Sequence, residues 1–267
     1  MSNSCRMTTN TPPFAISVVA VFLLSGSAAL AACDGDLQGN GRVAAVTGAR
    51  DFRLEDGREV RLTGIELPRK TPDTRFLREL IAAREVTLHG PNEVPDRYGR
   101  QQAFVFLYGH DTSVQSELLS QGLALNAGNV TDKSCAVELA AAETSARTAR
   151  RGLWSDPSAI KNAESAPDIL AEIGRFTLVE GKVVSARQAG ATFYINFGKR
   201  WIRDFAVTIS RRMMPSFEAA GLKLAALENK RIRVRGFVER RGGPRIEVSS
   251  PGQIELIQDN LINGKSD

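Results

Sequence analysis

Two arginines in different surroundings open the chemical reading. Arg61 alternates with Val60 and Leu62 in a short apolar stretch, and an arginine in such a strand needs an anionic partner. Arg100 closes the charged run Asp96-Arg97-Tyr98-Gly99-Arg100, just ahead of the apolar stretch Ala103-Phe104-Val105-Phe106-Leu107-Tyr108. Two guanidiniums aimed at one point suit a phosphate, because each planar fork offers bidentate donors. The structural alternative is that Arg61 pairs inside the fold with Glu66 or Asp96. After Arg61 the chain turns at Pro68, with Glu66 on one side and Arg69 on the other. A carboxylate at such a turn can hold a cation or take a proton; an arginine can do neither.

A second candidate lies downstream. Between Lys199 and Arg245 stand 13 Lys or Arg against 4 Asp or Glu. Arg231, Arg233 and Arg235 alternate and therefore share one face of a strand, with Arg240, Arg241 and Arg245 on the following turn. The functional reading is a groove for a polyanionic backbone; the alternative is a solvated basic face. Phe193, Phe197, Trp201 and Phe205 are spaced as stacking platforms for bases, or as core.

These residues need strands to hold them. Gly41–Val46 begins as a strand, and Phe52–Glu55 with Glu59–Leu62 flank Asp56-Gly57, a hairpin signal. Val86–Leu88 and Ala103–Tyr108 read as further strands. Asp73 caps a helix through Arg84, with Phe76, Leu77, Leu80 and Ile81 on one face. Val114–Gly122 reads as a short helix and Asp132–Arg151 as a longer one closed by Gly152. Ser155 to Gly174 looks like a linker with room for one turn of helix. From about Arg175 to Ile257 a second β-rich segment follows, in which Gly181-Lys182-Val183-Val184 echoes Gly41-Arg42-Val43-Ala44. Two small barrels in series result, each hiding its strand edges by closure.

The chain has 267 residues and a formal net charge of +5, a balance that favours polyanionic partners. An apolar run, Phe14–Leu24, precedes Ala28-Ala29-Leu30-Ala31-Ala32, which reads as a secretory signal peptide over residues 1–32. Cys33 and Cys135 remain after its removal. In an oxidising compartment they pair; alternatively Leu30-Ala31-Ala32-Cys33 is a lipobox whose lipidated cysteine anchors the protein to a membrane. The destination is the periplasm or the extracellular space.

Several motifs in order, FRLEDGREVRLTGIELP, DRYGR, ELLSQGLA and an alanine-rich helix ending ARRGLW, resemble the staphylococcal nuclease (thermonuclease) family over residues 41–155. The resemblance implies an OB-fold barrel with three helices, an α+β and mainly β fold spanning 38–156. A linker over 157–173, a smaller OB-type barrel over 174–259 and a tail over 260–267 complete the expected organisation. The family cleaves phosphodiesters with calcium, two arginines and a glutamate. Arg61 and Arg100 match its arginines and Tyr98 its nucleotide-contacting tyrosine. Glu66 aligns with one calcium aspartate, Arg50 with the other, and Leu67 with a carbonyl donor. The position of the water-activating glutamate holds Arg69. The resemblance therefore implies a phosphate-binding remnant: an exported protein that binds nucleic acid or another polyanion with lost or very weak phosphodiesterase activity. Calcium enters only if a displaced carboxylate, Asp51 or Asp73, rebuilds the site. The alternatives are an active metal-dependent secreted nuclease and an envelope structural protein.

Overall fold

The structure, a computed structural model, describes Met1 and residues 33, 35–68, 70, 73–90, 94–200 and 202–257. The expected signal-peptide run and the C-terminal tail, 260–267, lie outside the described residues. Among the described residues no helix is long and apolar enough to cross a membrane.

The first unit is built from β1 (Leu37–Val46), β2 (Asp51–Leu54), β3 (Glu59–Leu62), β4 (Ile65–Glu66), α1 (Arg75–Ile81), β5 (Glu85–His89), β6 (Arg100–Leu107), α2 (Val114–Ser120), β7 (Leu125–Asn126) and α3 (Lys133–Thr148). Strands β1-β2-β3-β6-β5 close into a barrel, β5 returning to pair with β1. Alternate residues Phe52, Leu54, Val60 and Leu62 are fully buried, so the intervening Arg53 and Arg61 point away from the core.

Helix α1 is shorter than the sequence implies and starts one residue past Thr74 rather than at an Asp73 cap; Asp73 instead accepts from the Arg75 N–H at 2.9 Å. It ends at Ile81 because the next backbone groups pair with β1: Ala83 N donates to Val43 O at 3.2 Å, and Val43 N to Arg84 O at 2.9 Å. Helix α3 starts as expected, with Asp132 accepting from the Cys135 N–H at 2.8 Å. Its first turn is tied to the segment ahead of β1 by a disulfide between Cys33 and Cys135.

The second unit comprises β8 (Ile160–Asn162), α4 (Ala166–Leu170), β9 (Phe176–Lys182), β10 (Ser185–Ala189), β11 (Thr192–Asn196), β12 (Ala206–Ser210), α5 (Met214–Ala219), β13 (Arg231–Arg241), β14 (Gly243–Glu247) and β15 (Ile254–Leu256). Its sheet runs β10-β11-β12-β14-β13-β9-β8, with β15 added on β13. Two sequence expectations are corrected here. The linker is structured and belongs to this unit: β8 pairs in parallel with β9, and Ile169 of α4 is fully buried in the second core. The expected second closed barrel is an eight-stranded sheet with β10 and β8 at its ends. Strand β9 pairs with β13 on one side and β8 on the other, so neither edge remains for β10 to close a ring.

The two units share a small core of Leu125, Ala146 and Trp154 from the first and Phe176 and Leu178 from the second. Their backbones meet at Gly128 and Gly252, where a Cβ on Gly252 would stand 2.7 Å from the Gly128 carbonyl oxygen. Only glycine allows that approach.

Candidate functional site

Strands β2 and β3 place Asp51 directly opposite Arg61 in the ladder. The cross-strand pair is bidentate: Arg61 Nε donates to Asp51 Oδ1 at 2.6 Å and Nη2 to Oδ2 at 2.8 Å. Arg61 is thus paired, as its position demands, but with Asp51 rather than Glu66 or Asp96. This hydrogen bond, against the opposing effect of burial, raises the Arg61 pKa further above its ordinary value.

Arg100, at the start of β6, reaches the same carboxylate, with Nη1 3.8 Å from Asp51 Oδ1. Its main partner is Asp96, bonded through Nε at 3.0 Å and Nη2 at 2.7 Å. The DRYGR turn is held by the other Asp96 oxygen, which accepts from Tyr98 N at 2.9 Å and Arg100 N at 3.1 Å. The Arg100 guanidinium, helped by these backbone N–H groups, outweighs burial and brings the Asp96 carboxyl down to about 2. Tyr98 is exposed, its ring centroid 4.8 Å from Arg97 Cζ and 4.7 Å from Arg100 Cζ. The structure therefore brings Arg61, Arg100 and Tyr98 to one surface and adds Asp51 and Asp96.

The remaining donors do not fit calcium. The ion takes six or more oxygens, mostly carboxylate and carbonyl. Arg50 Nη1 lies 2.9 Å from Glu66 Oε2 and donates to Ile65 O at 2.6 Å, so a guanidinium already holds the carboxylate and carbonyl of that turn. Asp51 is bidentate to Arg61, and Asp73 is exposed and pairs with Arg75 at 3.2 Å. Among the described residues no three of His, Cys, Asp and Glu gather where one metal ion could be held. Arg69, which the resemblance aligns with the water-activating glutamate, lies outside the described residues.

The triplet on β13 is corrected outright. Arg231, Arg233 and Arg235 do share a strand face, but that face is turned onto acids and onto the first unit. Arg231 and Arg233 each contact Glu180 at 2.8 Å, and Arg233 also contacts Glu255 at 2.9 Å. Arg235 is buried and bonds Glu143 of α3 and the Asn126 carbonyl, both at 2.8 Å. Burial opposes ionisation of Glu180, but its two arginines win and lower its pKa. Arg233 and Arg235 are buried, and Arg231, though exposed, is held by Glu180, so the triplet does not form an open row of free cations. Phe193, Phe197 and Phe205 are buried in the second core rather than set out as platforms, and Trp201 lies outside the described residues. Sequence reading passed over Glu143; its signal was a lone acid on the buried side of an alanine-rich helix.

Residues 59–156 match the staphylococcal nuclease homologue family. No curated protein matches the chain. The matched span takes in Arg61, Glu66, Tyr98 and Arg100 but begins after Arg50 and Asp51.

Proposed function

We propose that this is an exported nuclease-like protein that binds the phosphates of nucleic acid or a similar polyanion at Arg61 and Arg100, without calcium-assisted hydrolysis. One observation carries the reading: both guanidiniums converge on a single anionic oxygen, Asp51 Oδ1, at 2.6 Å from Arg61 Nε and 3.8 Å from Arg100 Nη1. The carboxylate stands in the position a phosphate oxygen would take, and an incoming phosphodiester displaces it. Tyr98 beside the pair offers a stacking surface for the attached base. Loss of hydrolysis is supported by Arg50 on the Glu66 turn, which repels a second cation, and by Arg69 in the sequence position of the general base. Export is supported by the apolar run before Cys33 and by the Cys33–Cys135 disulfide, which suits an oxidising compartment.

The test pairs a nuclease assay with fluorescence anisotropy on the protein lacking residues 1–32. Single-stranded DNA is retained intact in calcium as in chelator, and a labelled oligonucleotide binds with steep salt dependence. Asp51→Asn removes the internal competitor and tightens binding several-fold, while Arg100→Gln weakens it. Chelator-sensitive cleavage by clean protein would refute the loss of hydrolysis; an Asp51→Asn variant that folds and binds no better refutes displacement at this site.

A further inference from the structure

Beyond the paired arginines of β13, the second sheet carries cations on its other face. Phe193, Ile195, Val207, Ile209 and Ile246 are buried in the core, so the residues alternating with them point to the opposite side, where Arg187 is exposed and Tyr194 and Arg245 are half-buried, while Asn196, Ala206 and Thr208 between them are buried. The ladders line these up in two rows: Arg187 opposite Tyr194 opposite Thr208, and Asn196 opposite Ala206 opposite Arg245. Ala206 has no bulk, and Arg245 extends across it until its Cζ lies 5.9 Å from the Tyr194 ring centroid. The Arg245 Nε is buried without a hydrogen-bond partner. Among the described residues neither Arg187 nor Arg245 forms an ion pair, whereas Arg231, Arg233 and Arg235 all do. Arg211 and Arg212 follow directly at the end of β12, where Arg211 N donates to Ala191 O at 2.8 Å beside the β10–β11 turn. The same face holds two acids: Glu239, 3.6 Å from Arg241, and the exposed Glu247.

We infer that this face of the second sheet, centred on Tyr194 and Arg245, is a docking surface for single-stranded nucleic acid. An aromatic ring between unpaired arginines supplies what a single strand needs, a π-surface for a base and forks for the adjoining phosphates. Arg187 and Arg245 stand three strand spacings apart, about 14 Å at about 4.8 Å each, a span a few nucleotides cover. A purely anionic partner has no use for the ring, and a duplex has its bases already stacked. The surface is separate from the Arg61/Arg100 pair and does not depend on that pair's chemistry.

The experiment titrates labelled oligodeoxythymidine into the full-length mature chain across a salt series. Tyr194→Ala weakens binding by about 5- to 150-fold, the range for removing one stacked base, and Tyr194→Phe restores it. Arg187→Gln with Arg245→Gln lowers the slope of log affinity against log salt by about 1.4, roughly 0.7 for each phosphate no longer neutralised. Arg61→Gln with Arg100→Gln leaves both effects in place. Wild-type affinity and salt slope in the Arg187/Arg245 variant, which lies at exposed and half-exposed positions and keeps the fold, overturns the inference. So does equal binding of duplex DNA or of polyphosphate. If only the Arg61/Arg100 variant loses binding, the sheet-face proposal fails and the phosphate-pair reading stands; if only the sheet variants lose it, the reverse holds.

Discussion

Replacing Glu143 with alanine tests whether the two units are one cooperative structure. The Glu143 side chain is 2% exposed and its Arg235 partner 6%. One Glu143 oxygen accepts from the Asn126 N–H at 2.8 Å, the other from Arg235 Nη1 at 2.8 Å, and the same Nη1 donates to Asn126 O at 2.8 Å. Removing the acid leaves the buried guanidinium only its longer, 3.6 Å pair with Glu255 Oε2 and leaves a buried N–H without its acceptor. Breaking such a pair from one side costs about 3–5 kcal/mol. For a chain of this size that lowers Tm by roughly 6–20 °C, at about 2–4 °C per kcal/mol. Glu143→Ala with Arg235→Met removes both charges together, and the destabilisation shrinks strongly because no buried ion is stranded. Guanidinium unfolding of the four species, followed by far-UV circular dichroism and by Trp154 fluorescence from the shared core, closes the double-mutant cycle. The wild type gives one coincident transition. A cost below about 1 kcal/mol for Glu143→Ala, or single effects that add in the double variant, refutes the reasoning.

The Cys33–Cys135 bridge spans 102 positions, and chain entropy assigns a loop of that size about 4–5 kcal/mol. Reductant therefore lowers the unfolding midpoint of the wild type and leaves a Cys33→Ala/Cys135→Ala variant unchanged; equal sensitivity of the two defeats the claim. Asp96 titrates near 2 in the folded protein against an ordinary 3.8, so its contribution is present above about pH 4 and is lost as pH falls from there toward 2. Asp96→Asn flattens the stability profile across that acid window, and a variant profile as steep as the wild type's counts against the Arg100–Asp96 pair.

Local signals in the sequence carried the first barrel. The hairpin at Asp56-Gly57, the alternation of Phe52, Leu54, Val60 and Leu62, and the Asp132 cap are short-range patterns, set by backbone geometry and by which side of a strand meets water. They also marked Arg61 and Arg100 as a pair, because an arginine inside an apolar alternation needs an anion. The identity of that anion was not local. The sequence offered Glu66 or Asp96, and it is the β2–β3 register that sets Asp51 opposite Arg61 instead. The same reason explains the missed structure in the linker, since Ile160–Asn162 is a strand only because β9 offers an edge for it.

Composition determined that the second unit is basic, while tertiary structure decided which of its cations are free. Period-two alternation places Arg231, Arg233 and Arg235 on one face and Arg187 and Arg245 on strand faces of their own, and by sequence the two sets are equivalent. Pairing of β13 with β9 and β15 and its docking against α3 gave the first set Glu180, Glu255 and Glu143 as partners, from positions more than 20 residues away along the chain. Charge is carried by each residue alone, but its neutralisation needs a partner within a few ångströms, and only the folded chain supplies that distance.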